Sequence, residues 1–90
     1  MESEILAAIL ASKYRKEILF ILSDGRLETP SRILRKMQER GHRSANKQNV
    51  SSNLRWLKER GLIKVEVERR KGKLYKITDK GKEYVKRIRV

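Results

Sequence analysis

Apolar residues come in blocks along this chain, and their spacing changes from helical to alternating about two-thirds of the way through. Ile5 and Ile9, then Ile18, Leu19, Ile21 and Leu22, supply apolar faces, with Lys13, Arg15 and Lys16 in a polar band between them. That spacing predicts one long helix over 5–22. Ser12 marks the place where a second helix could begin, which would leave 2–11 as a separate piece. Ser23-Asp24-Gly25 ends this region, with Gly25 suited to a left-handed cap. Thr29-Pro30 opens the next helix: Thr can cap it, and Pro fits the first turn, where its missing N–H costs nothing. Ile33, Leu34 and Met37 then face inward and Arg32, Arg35 and Lys36 outward, up to about Arg40 and a stop at Gly41. The connection GHRSA is short and polar, so the second and third helices meet in a helix-turn-helix arrangement.

The third helix is expected over 46–60, with Asn46 as its cap and Gly61 after its end. Val50, Leu54 and Leu57 at i, i+4 and i+7 make its inward stripe. Gln48, Ser52, Arg55 and Glu59 lie opposite, with Asn49 and Trp56 on one flank. The period then falls to two. KVEVE puts Val65 and Val67 on one face, and LYKI returns with Leu74 and Ile77 as its buried positions. Between them RRKGK supplies a turn through Gly72 and four cations. Thr78 or Asp79 caps a last helix that carries Tyr84, Val85 and Ile88. The fold class is α+β, mostly α: a three-helix core, a two-stranded hairpin and a C-terminal helix.

Ninety residues at 38% hydrophobic make one domain over 1–90, with too little apolar surface for a second core. Even so, Ile5, Leu6, Ile9 and Leu10 are more apolar surface than so small a domain needs. With Tyr84 and Ile88 they are the candidates for a homodimer interface. No apolar run approaches the ~18–20 residues of a membrane span. The start of the chain also lacks the basic segment of a secretory signal. The absence of Cys fits a reducing interior, so a cytoplasmic, nucleoid-associated protein is expected.

Charge changes the picture most. The net charge is +13, and residues 1–31 hold 4 Lys/Arg against 5 Asp/Glu while residues 32–90 hold 20 against 6. The first third therefore looks like scaffold, and the rest carries a field that would steer a polyanion. A highly charged surface serving solubility alone predicts acid and base in comparable numbers, and acid is scarce here. A helix displaying polar side chains, followed by a cationic hairpin, has the parts needed to read one groove of double-stranded DNA and clamp the adjacent backbone. Catalysis finds no support. One His, two Asp and no Cys leave no triad and no metal cluster, and no phosphate-cradling Gly loop is present. Neither cofactor nor metal is expected.

The phrases ASKYRKEILFIL, TPSRIL, NVSSNLRWLKERGLI and ITDKGKEYV resemble winged helix-turn-helix regulators of the ArsR/MarR type, particularly small archaeal versions. The resemblance covers nearly the whole chain. Its most specific part is Val50-Ser51-Ser52-Asn53-Leu54 followed by Leu57 and Glu59-Arg60-Gly61-Leu62-Ile63. It implies a dimeric transcription regulator with the third helix in the major groove and the hairpin, the wing, on flanking backbone. Two departures stand out. ERGHRSA is longer than the usual tight turn between helices two and three, and the Cys/His clusters of metal-sensing members are absent.

Within this architecture, Gln48 and Asn49 can pair in two-pronged fashion with adenine, and Arg55 with guanine or with a phosphate. Ser51, Ser52 and Asn53 are small polar groups that allow close approach. Arg69, Arg70, Lys71 and Lys73, within the wing 68–73, repel one another unless a polyanion relieves them. Arg43 and Lys47 are further phosphate candidates, with Arg32, Arg35 and Lys36 weaker ones. Trp56 is expected to close the edge of the core or the junction of helices two and three, and His42 to be a surface residue. The rival readings are a non-specific architectural DNA-binding protein and a winged-helix protein-interaction module; RNA binding has little support because exposed aromatics are few.

Overall fold

The computed structural model describes residues 2–70 and 72–89. Along the chain run α1 (Glu2–Leu10), α2 (Lys13–Leu22), α3 (Pro30–Glu39), α4 (Lys47–Glu59), β1 (Ile63–Arg69), β2 (Gly72–Ile77) and α5 (Asp79–Arg89). The expected single N-terminal helix is two. Ile9 and Ile18 are both fully buried, yet nine residues turn a straight helix by about 900°, which would put them on opposite faces. A break resolves the conflict. Ser12 takes an extended conformation (φ −125°, ψ 114°) and caps α2 by accepting from the Arg15 amide at 3.3 Å. The Arg15 guanidinium then donates to the Ala8 carbonyl at 2.9 Å, which holds the end of α1 against α2.

The other helix ends follow local chemistry. Thr29 accepts from the Arg32 amide at 3.2 Å and Pro30 opens α3. At the far end of α3, Gly41 adopts a left-handed φ of 100°. Its N–H bonds Gln38 O while His42 N–H bonds Met37 O, the paired bonds of a Schellman stop. The loop to α4 is anchored by Ala45, which is buried and whose carbonyl accepts from the Gln38 side chain at 3.2 Å. Asn46 and Asn49 form a reciprocal capping box at the start of α4.

β1 and β2 pair antiparallel, and Glu28 adds a one-residue bridge on the other side of β2 through both of its backbone groups to Tyr75. Two expectations are corrected here. Val65 pairs with Tyr75 but Val67 pairs with Leu74, because the register slips between them. Such a bulge puts Val65 and Val67 on opposite faces of the hairpin. On β2 the alternation itself makes Tyr75 and Ile77 the core residues, with Leu74 only half-buried.

Helix α2 is central: it touches α1, α3, α4, α5 and β2. Its Ile18, Leu19 and Leu22 share one core with Ile33, Met37, Leu54, Leu57, Leu62 and Ile63. Two buried carboxylates each have a cation, as removal from water demands. Glu28 pairs with Lys36, and Glu17 with Arg40. His42 lies 3.5 Å from the same Glu17 carboxylate and edge-on to Tyr14, so it is a packed residue and not the surface residue expected. Thr78 caps α5 by accepting from Gly81 N at 3.0 Å, and donates to Gly61 O at 2.6 Å. A Cβ on Gly81 would collide with Leu62 O and come within 2.7 Å of the Ile77 side chain, so α5 crosses the hairpin base only with Gly there.

The expected dimer surface also changes. Ile9 and Tyr84 are buried in the chain's own core and are not available to a partner. Ile5, Leu6 and Ile88 are partly covered, while Leu10 is 51% exposed. No described helix is long and apolar enough to cross a membrane.

Candidate nucleic-acid interface

Helix α4 has four sides, and the rest of the fold decides what each can do. Val50, Leu54 and Leu57 face the core. On the side toward α2, Asn49, Asn53 and Trp56 each make contacts within the protein. Asn49 closes the capping box with Asn46, at 2.8 and 3.1 Å. Asn53 donates to Asn49 O at 2.8 Å. Trp56 carries the guanidinium groups of Arg15 and Arg60 over its ring, at 4.2 and 4.0 Å from the centroid. Asn49 and Asn53, base-reading candidates in the sequence, also cap and brace the helix.

The outward side carries Gln48, Ser52, Arg55 and Glu59, all exposed. Ser52 Oγ donates to Asn49 O at 3.2 Å and keeps its lone pairs for another donor. Gln48 and Arg55 have no side-chain partner among the described residues. The side toward the hairpin carries Lys47, Ser51 and Lys58, which also lack side-chain partners there.

Two clefts follow that last side. One, of about 260 Å³, lies between the first turns of α3 and α4 and is lined by Pro30, Ser31, Lys47, Val50 and Ser51. The other, of about 160 Å³, lies between α4 and β2 and is lined by Ser51, Arg55, Lys58, Lys73 and Tyr75. They share Ser51. Arg69 and Arg70 are exposed, with no ion pair among the described residues. Lys73 faces Glu68 across the hairpin at 4.0 Å, and Lys71 lies outside the described residues. Arg43 is exposed in the loop before α4. No group of His, Cys, Asp or Glu side chains suited to a metal occurs among the described residues.

Sequence reasoning missed Lys58 and Tyr75. Lys58 was legible: Ser51, Arg55 and Lys58 stand at i, i+4 and i+7, a second stripe beside the inward one. Tyr75 was legible too: in an alternating strand it shares a face with Ile77, two residues on.

The EarA-like family matches this chain over residues 5–88. The chain belongs to the EarA-like family. Among solved structures, this EarA-like fold is similar to RosR of H. salinarum, at 22% identity and TM-score 0.78, over 86% of this chain and 69% of that one. It is similar to a PadR-like transcriptional regulator from Bacillus cereus, at 22% identity and TM-score 0.74, over 96% and 82% of the two chains. A MarR family regulator from Neisseria meningitidis is 25% identical, with TM-score 0.69, over 87% of this chain and 52% of that one. The chain therefore spans about half the length of the Neisseria protein. No curated protein matches the sequence. The fold is the winged helix: α4 is the second helix of the helix-turn-helix, and β1–β2 is the wing.

Proposed function

We propose that this EarA-like protein is a sequence-specific, double-stranded DNA-binding transcription regulator that acts as a homodimer. Helix α4 enters the major groove and the wing lies along flanking backbone or minor groove. The observation that supports this reading is the division of α4: residues on one side make contacts within the protein, while Gln48, Arg55, Lys47, Ser51 and Lys58 on the outward and wing sides have no side-chain partner among the described residues. Gln48 and Ser52 are base-reading groups, Arg55 takes either a guanine edge or a phosphate, and Arg43, Lys47, Arg69, Arg70 and Lys73 hold phosphates. The exposed Leu10, with the half-covered Ile5, Leu6 and Ile88, supplies the dimer surface. A two-fold dimer reads half-sites about 10 bp apart or a multiple of that.

The test is selection of bound fragments from the source genome, with the mass of the complex measured alongside. A recurring palindromic site bound by two copies supports the reading. Enrichment of no site would leave the non-specific architectural alternative. That alternative has one observation in its favour: with Asn49 and Asn53 engaged internally, few groups are left to read bases while many cations remain. Competition with excess random DNA across salt concentrations separates the two, because a specific reader keeps its preference as the phosphate contribution weakens. Charge reversal of Arg69 and Arg70 that left duplex binding intact would instead favour a protein-interaction module.

A further inference from the structure

We propose that the cleft between α4 and β2 is a seat for a single phosphate of the DNA backbone, with Lys58, Arg55, Lys73, Ser51 and Tyr75 as its donors; this rests on the duplex-binding reading above. Its five lining residues are three cations and two hydroxyl side chains, with no carboxylate among them. Two of the cations, Arg55 and Lys58, have no ion pair among the described residues. The third, Lys73, has only the long contact to Glu68 at 4.0 Å, on the exposed hairpin.

Tyr75 is the most telling member. It is only 9% exposed and belongs to the core, yet its hydroxyl has no hydrogen-bond partner among the described residues. That hydroxyl is open to water, so it is left without a fixed partner and free to donate to a ligand. The cleft that Tyr75 lines is where one can reach it. A phosphate oxygen would accept from the hydroxyls of Tyr75 and Ser51 while the surrounding cations balance its charge.

The backbone placement explains why the seat needs two elements. Ser51, Arg55 and Lys58 line up along one stripe of α4, and Lys73 and Tyr75 come from the facing strand. A phosphate seated between them fixes the distance of the wing from the recognition helix and sets how deeply α4 enters the groove. It also assigns Arg55 to the backbone, which leaves Gln48 and Ser52 as the base readers. Arg69 and Arg70, farther out along the wing, reach the next stretch of duplex.

The test uses the full chain and two probes, a random-sequence duplex and inorganic phosphate. For Lys58→Ala and Lys73→Ala the expected loss of duplex affinity is about 10-fold each at low salt. The salt slope should fall by about one for either variant, and by about one for both together, because they share one phosphate. Tyr75→Phe should lose roughly 3- to 10-fold in affinity with an unchanged melting temperature, since that hydroxyl holds nothing in the free protein. Inorganic phosphate should shift the amide and side-chain resonances of Lys58, Lys73 and Tyr75 selectively, at far higher concentration than the duplex. If wild type binds no duplex, the DNA-binding reading itself fails. If wild type binds but Lys58→Ala and Tyr75→Phe bind equally well, or the two lysine effects on the slope add, the seat is wrong and the reading stands. Binding of inorganic phosphate as tight as that of the duplex would assign the cleft to a free oxyanion and overturn the backbone assignment.

Discussion

The two flanks of α4 have similar residue types and opposite fates. Asn49, Asn53, Trp56 and Arg60 point toward α1 and α2, and each is engaged with the protein itself. Lys47, Ser51, Arg55 and Lys58 lie toward the wing and the solvent and have no side-chain partners among the described residues. A helical wheel grades both sets alike as polar. What separates them is which side the rest of the fold covers. The lesson is that polar residues on a recognition helix divide into those that hold the helix and those left for a ligand, and hydrogen-bond accounting tells them apart.

The sharpest way to break this contrast is to reverse charge on the unengaged side. Lys58→Glu with Lys73→Glu should weaken duplex binding ~100-fold or more, because each change removes an attraction and adds a repulsion to the same backbone. The melting temperature should stay nearly constant, and fluorescence anisotropy with thermal denaturation reads both. On the engaged flank the order of effects inverts. Trp56→Ala removes a half-buried ring and the platform for two guanidinium groups, and should cost about 2 kcal/mol of folding stability. Duplex binding at a temperature where the variant is folded should fall by much less.

Smaller effects refine the contrast within one side. Gln48→Ala should lose about 1–2 kcal/mol of affinity for the selected site and relax preference at one base position. Its affinity for random duplex and its stability should be unchanged. Asn46→Ala removes one half of the capping box and should cost about 1 kcal/mol of stability in chemical denaturation. It should leave the selected sequence as it was. A change of sequence preference in Asn53→Ala, whose amide is used inside the helix, would contradict the division.

Much of the fold was legible because its signals are local. Thr29-Pro30, Asn46, Gly41 and Gly61 each carry their meaning within a few residues, and all four mark helix ends where expected. The cationic hairpin was legible for the same reason. The break at Ala11–Ser12 was half visible: Ser12 offered a cap, but the decisive fact is that Ile9 and Ile18 must both reach one core. The bulge between Val65 and Val67 left no mark in an alternating KVEVE pattern, whereas the faces of Leu74 and Tyr75 follow from alternation along β2 back from Ile77. Burial of Ile9 and Tyr84 could not be told from a subunit interface, since an apolar residue reads the same against its own core or a partner's. The capping and bracing roles of Asn49 and Asn53 were not legible, because an amide suited to an adenine edge is equally suited to a helix cap.

The most direct measurement of the central claim is mapping of backbone and side-chain resonances of the full chain on titration with a duplex. The account predicts that the largest shifts run along Lys47, Ser51, Arg55 and Lys58 and continue through Lys73 to Arg69 and Arg70, with Asn53 and Trp56 nearly still. Shifts centred on α1 and α5, with the wing flank of α4 unmoved, would contradict it.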